Sequence, residues 1–201
     1  MRRWAVCLVL APLLACARGR ESGVADPQLR AELLHRVAAD QAIRDTLMRE
    51  MRAGAGSLDT ALTRRVDRLD SANTAWLERQ QPARGWFTRA QVGADGVAAA
   101  FLLLQHAADT AWQARVLPVL QTAVAQGEVS GQEFALFTDR VAMHRGLPQQ
   151  YGTQADIRDG RVVFHAIADS STVDARRAQV GLMPLREYAR LLDSMYVGAQ
   201  K

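Results

Sequence analysis

Leu33, Val37, Asp40, Arg44, Leu47 and Met51 are separated by alternating steps of four and three, which places all six on one face of an α-helix, within about 40° of its centre. Asp40 and Arg44 therefore stand where core residues belong. Four residues apart on a helix they can pair with each other, but burying a carboxylate and a guanidinium is costly unless further hydrogen bonds complete them. Any fold containing this helix must bring other polar groups to meet it.

The helix is expected from about Gln28 to Arg52. Asp26-Pro27 reads as an N-cap and first-turn proline, and Gly54 and Gly56 as the stop. A second helix, capped by Ser57 and running to about Gln80, carries the stripe Leu62, Val66, Leu69, Asn73, Trp76, with Asn73 as its polar intruder. The same device on two successive helices predicts that they face each other across a shared polar layer. After a connection from Pro82 to Gly93, a third helix is expected from Asp95. Its run Val97 to Leu104 is apolar on every face and belongs at the centre of a bundle, with Gln105 and His106 at its end.

Asp109 is the expected cap of the next helix, which Pro118 should kink or divide and Gly127 close. Ser130 and Glu133 have capping-box spacing and open another helix reaching Arg145, with Gly146 as its stop. The β signal is Asp159-Gly160, a favoured two-residue turn between Tyr151–Arg158 and Arg161–Ile167. Its register puts Tyr151, Thr153, Ala155, Ile157, Val162, Phe164 and Ala166 on a packing face, and Gln154, Asp156, Arg158, Arg161 and His165 on the other. Two helices finish the chain. Thr172 or Asp174 caps the first and Gly181 stops it; Pro184 starts the last, with Leu185, Tyr188, Leu192 and Met195 inward. The expected architecture is mainly α: one domain over residues 28–201, a bundle of about six or seven helices with one β-hairpin near residues 151–167.

Residues 1–15 read as a leader: Arg2 and Arg3, an apolar run from Trp4 to Leu14 too short to span a bilayer, then Ala15. Leu13-Leu14-Ala15-Cys16 resembles the bacterial lipobox, which implies lipidation of Cys16, a tether over residues 16–27, and an extracytoplasmic domain anchored to a membrane. Ala17, where an acidic residue would resemble an inner-membrane retention signal, leans towards the outer membrane. Cys7 would leave with the leader and Cys16 be acylated, so no thiol would remain for a disulfide. Losing Arg2 and Arg3 would also lower the formal charge of +4 by two, too little to argue for nucleic acid as a partner.

Several elements taken together resemble a bacterial family catalogued as domain of unknown function 6624. They are Asp40-Gln41 with Arg44, Asp70 with Asn73, Gly85-Trp86, Val92-Gly93, Gln105-His106, Asp139-Arg140, Gln150-Tyr151-Gly152-Thr153-Gln154, Asp174 with Arg176-Arg177, and Gly181-Leu182 with Pro184. The resemblance implies no activity, but it selects Asp40, Arg44 and Asn73, which periodicity had already marked as misplaced.

No phosphate loop, nucleophile elbow or metal-ligand cluster stands in the chain. His106 and Asp109 are three apart, but His35, His144 and His165 have no ligand spacing to one another, so neither a metal nor another cofactor is expected. The leading functional expectation is a cleft for a small polar or anionic ligand. Arg44, Arg140, Arg176 and Arg177 would offer guanidinium forks, Asn73, Gln105, Gln150 and Gln154 amides, and Tyr151 a stacking face. Gly152 would admit close backbone approach beside Asp40, His106 and Thr153. The alternative is a hydrolase with His106 as general base, oriented by Asp139 or Asp40. A third reading is an envelope module whose polar layer only fixes helix register.

Overall fold

A computed structural model describes residues 23–52, 59–158 and 161–197. The leader, Cys16, the stop at Gly54 and Gly56, the Ser57 cap and the Asp159-Gly160 turn lie outside the described residues. The fold is mainly α, with seven α-helices and one antiparallel hairpin among the described residues. Residues 28–201, read from sequence as one domain, divide into two compact units, one running through Val129 and the other beginning at Ser130. Among the described residues no helix is long and apolar enough to cross a membrane.

The first unit contains α1 (Pro27–Arg52), α2 (Thr60–Gln80), α3 (Arg89–Gln105) and α4 (Thr110–Ala125). Asp26 caps α1, its carboxylate accepting the Leu29 N–H at 2.9 Å. At the start of α2, Asp59 accepts from Ala61 N–H at 2.8 Å. The third helix begins before Asp95, contrary to the sequence expectation, because Thr88 accepts from Gln91 N–H at 3.2 Å and nucleates a turn. Gly93, at φ 76°, then breaks and redirects the chain, a conformation that glycine adopts at no steric cost. Val97, Phe101, Leu103 and Leu104 of α3 are buried, as are Leu33, Leu62, Val66 and Leu77 of the helices it packs against, α1 and α2. Asp109 caps α4 through Trp112 N–H at 2.9 Å, and the helix continues through Pro118.

The second unit opens with α5 (Gly131–His144), where Ser130 and Glu133 form the expected capping box. Strands β1 (Ala155–Arg158) and β2 (Arg161–Phe164) pair in the expected register, Ile157 opposite Val162 and Ala155 opposite Phe164, but are shorter than the sequence pattern suggested. Two strands alone are marginal in water. Here Ala155, Val162 and Phe164 pack on Tyr188 and Leu192 of α7 (Leu185–Leu192), which follows α6 (Val173–Gln179). Several expectations need correction. Ile157 and Ala166, read as part of the packing face, are exposed, because the contact with α7 is made by Ala155, Val162 and Phe164. Gln154 is buried and not solvent-facing, because its amide donates to Leu136 O and Thr153 Oγ1. Met195 is exposed, because the chain passes into a π-type turn at Asp193 and the helical phase changes. Thr172 stands at the N-cap position of α6 as expected but makes no side-chain cap bond, its hydroxyl donating to Asp169, and Asp174 accepts the Leu185 N–H at 2.7 Å, at the start of α7.

Candidate functional site

In the first unit, helical spacing brings the misplaced residues of α1 and α2 together as expected. Asp40 is fully buried. One of its oxygens accepts from Arg44 Nε at 3.1 Å, and the other accepts from Gln41 Nε2 at 2.8 Å and lies 2.8 Å from His106 Nδ1. Arg44 continues to Asp70, whose Oδ1 accepts from its Nη2 at 2.5 Å. Two helices and the end of a third are thereby joined through one guanidinium and one imidazole.

The protonation pattern follows from the charges. Burial raises the Asp40 pKa, but the hydrogen bond and charge of His106 and the charge of Arg44 outweigh it, leaving the carboxyl below its ordinary value and ionised. Arg44 Nε also lies 3.0 Å from His106 Nδ1. If that nitrogen accepted from Arg44, its lone pair would face the Asp40 anion. The ionised carboxylate instead places a proton on Nδ1, so proton exchange by the neutral ring falls to Nε2.

Asp70 behaves oppositely. Burial pushes its carboxyl up to about 6, Arg44 opposes the shift, and the neighbouring Asp40 charge adds to it. One arginine serves two carboxylates, and Asp40 holds the negative charge more firmly. Because the folded-state pKa lies above the ordinary 3.8, the native state binds more protons between these values, and the contribution of Asp70 falls as pH rises from about 4 to 6. In urea denaturation, the stability of the native chain relative to Asp70→Asn is expected to fall by up to about 3 kcal/mol over that window. A constant difference would show that Asp70 does not titrate there.

Sequence reasoning missed the residues that hold His106 in place. Gln113, wholly buried on α4, donates through Nε2 to the carbonyls of Leu104 and Ala107 at 3.0 and 3.3 Å, tying α4 to the turn that follows α3. Thr74 Oγ1 accepts from Ala108 N–H at 2.8 Å and ties the same turn to α2. Gln105 is buried one residue before His106. Nothing in the periodicity marked Gln113, which sits among apolar residues of an otherwise ordinary helix.

The remaining predicted residues lie in the second unit, where they organise a loop. Asp139, fully buried on α5, accepts from the backbone N–H groups of Gln150, Tyr151 and Thr153 at 2.7, 3.0 and 2.9 Å and from the Thr153 hydroxyl at 2.9 Å. In the sequence, the carboxylate that orients His106 stood open between Asp40 and Asp139. Asp40 makes the bond, and the Asp139 oxygens serve residues 150–153. Arg177, also buried, donates to the carbonyls of Met183 and Tyr151, both at 2.6 Å, and lies over the Tyr188 ring. Arg176 donates to Gln150 O and Ala168 O. Gln149, absent from the sequence candidates, is fully buried: its amide donates to Gln154 O and His165 O, and its carbonyl accepts from Gln154 N–H at 2.6 Å. Gly152 adopts φ +65° within this knot, Tyr151 is half-buried, and Arg140 is buried on α5.

A family model described as a family of unknown function, DUF6624, matches residues 27–201. The chain belongs to the DUF6624 family. No curated protein and no solved structure matches it. The DUF6624 match spans both the Asp40–His106 cluster and the Asp139 loop, but carries no activity. A groove of about 650 Å³ between α1 and α2, lined by Ala39, Ile43, Leu62, Arg65 and Leu69 among others, does not include Asp40, Arg44, Asp70 or His106.

Proposed function

We propose that this DUF6624 protein is held outside the cytoplasm by lipid on Cys16, with the outer membrane favoured, and that its first unit carries out general acid–base chemistry on a small polar substrate through His106. The observation that carries the chemistry is the 2.8 Å approach of His106 Nδ1 to a wholly buried, ionised Asp40. Such a carboxylate selects the tautomer that makes Nε2 the basic nitrogen and stabilises the imidazolium formed when it takes a proton. Among the described residues no hydroxyl or thiol stands in a nucleophile setting, so water is the natural nucleophile and hydrolysis the natural reaction. A ligand site built on Arg176 and Arg177 has less support, because their guanidiniums are engaged by carbonyls of their own unit. For that unit, the use of Asp139, Arg176 and Arg177 on main-chain groups favours an architectural role.

The chemistry is tested by screening the purified chain against envelope esters, amides, phosphoesters and glycans beside His106→Asn. Product formed by the native chain and lost in the variant is expected; product formation indifferent to His106 overturns the assignment. The anchor is tested separately by metabolic labelling with an alkynyl fatty acid, which should mark the native chain and not Cys16→Ala. Equal labelling of both would exclude lipidation at that cysteine.

A further inference from the structure

Asn73 combines burial with an incomplete set of hydrogen bonds. It is 3% exposed on α2, and its Oδ1 accepts from Arg36 Nη1 at 3.1 Å, while its Nδ2 has no hydrogen-bond partner among the described residues. The Arg36 bond decides which way the amide faces: a guanidinium has only donors, so the oxygen must meet it and the NH₂ group must turn away. Arg36 is itself fixed, its guanidinium carbon 4.3 Å from the centre of the Trp76 ring and its Nε 2.7 Å from Glu32 Oε1. A buried amide nitrogen without an acceptor is costly, and here its orientation is enforced from behind.

Its place in the unit gives that nitrogen a use. Arg36, Asp40 and Arg44 repeat every four residues along α1, and Asp70 and Asn73 are three apart on α2, so each set shares a helix face. The pairs Arg36–Asn73 and Arg44–Asp70 run antiparallel, which puts Asp40 and its partner His106 level with the stretch between Asp70 and Asn73. Arg44 and Asp70, with side chains 24% and 17% exposed, form the open edge of this cluster, whereas Asp40 and His106 are 0% and 7% exposed.

We propose that Asn73 is the donor for the carbonyl oxygen of a neutral ester or amide, with Arg36 as the residue that positions it. The proposal rests on the acid–base reading of His106 and adds its substrate class. Two carboxylates sharing one guanidinium disfavour an anionic phosphate, whereas an uncharged carbonyl meets no such repulsion. In the reaction, water passes a proton to His106 Nε2 as its oxygen bonds to the carbonyl carbon. The carbonyl π pair moves onto the oxygen facing Asn73, where an amide N–H gains strength as charge develops. Re-forming the double bond expels the alcohol or amine, which takes the proton back from His106.

The test uses the full chain in detergent. With 4-nitrophenyl acetate, Asn73→Ala is expected to lower kcat by about 10²–10³-fold with little change in KM. Arg36→Met should lower it less, and Arg36→Lys should recover part of that loss. A lower Tm with unchanged kcat in Asn73→Ala would overturn the proposal in favour of a purely structural amide. Faster His106-dependent turnover of 4-nitrophenyl phosphate than of the acetate would overturn the substrate class. A second measurement reads binding directly and needs no substitution at Asn73. Acetamide added to ¹⁵N-labelled protein should shift the Asn73 side-chain amide resonances in both the native chain and His106→Asn, and inorganic phosphate should not. Failure of acetamide to move them overturns the donor assignment. A shift in both proteins without His106-dependent turnover sustains the donor while removing the acid–base reading.

Discussion

Asp139→Ala is expected to destabilise the protein by about 3–5 kcal/mol, because it leaves several buried donors without an acceptor at once. The carboxylate accepts three backbone N–H groups and one hydroxyl from residues 150–153. Thr153 is itself buried, so water cannot freely replace the lost oxygen. Burial raises the carboxyl pKa and the bonds from Thr153, Tyr151 and Gln150 pull it back, but the net shift is upward. The ionised group is thus held at a cost that its four donors offset only in part. The isosteric change Asp139→Asn would keep the shape but turn an NH₂ group towards backbone donors, so it should recover little of the loss. Urea denaturation of the full chain measures both. A loss below about 1 kcal/mol for Asp139→Ala would mean that the 150–153 loop re-forms its hydrogen bonds elsewhere.

The polar layer was legible because a helix makes position a matter of counting. Asp40, Arg44 and Asn73 fell on apolar stripes, and all three are found beside other polar groups at the meeting of α1 and α2. The hairpin register was legible for a related reason: a two-residue turn leaves one pairing, and His165 N–H does meet Gln154 O. What could not be counted was the assignment of side chains to main chain. Arg176 and Arg177 look like ligand-binding groups in sequence because their type suits anions, and Asp139 like a partner for His106, yet carbonyls and amides far along the chain take their polar atoms. Asp70 stands among the family elements without a legible role, since its bond to Arg44 crosses from one helix to another. Gln113 and Arg36 carried no signal at all, because each acts on a group distant in sequence.

Asp40→Asn separates charge from shape at the same cluster, and is expected to lower His106-dependent turnover by about 10²–10⁴-fold while the chain stays folded. The substitution preserves volume at a position with no exposure and leaves one oxygen able to accept from Arg44 or Gln41. It cannot reproduce the anion. An amide that turns its NH₂ group towards His106 Nδ1 demands a lone pair there, so the proton moves to Nε2 and the base is lost. If the amide instead keeps its oxygen towards Nδ1, the tautomer survives but the imidazolium loses its counter-ion. The two failures differ in their pH profiles. A wrong tautomer lowers the rate across the whole range, whereas loss of the counter-ion moves the acid limb to lower pH and leaves a plateau closer to that of the native chain. Asp40 acts through His106 and not on substrate, so Asp40→Asn and His106→Asn should be strongly non-additive, the double variant being little slower than His106→Asn alone. Independent losses in the double variant would mean that Asp40 works on something other than the imidazole. Full activity in Asp40→Asn would remove the pair from the chemistry and leave it as the register device that the polar stripes equally permit.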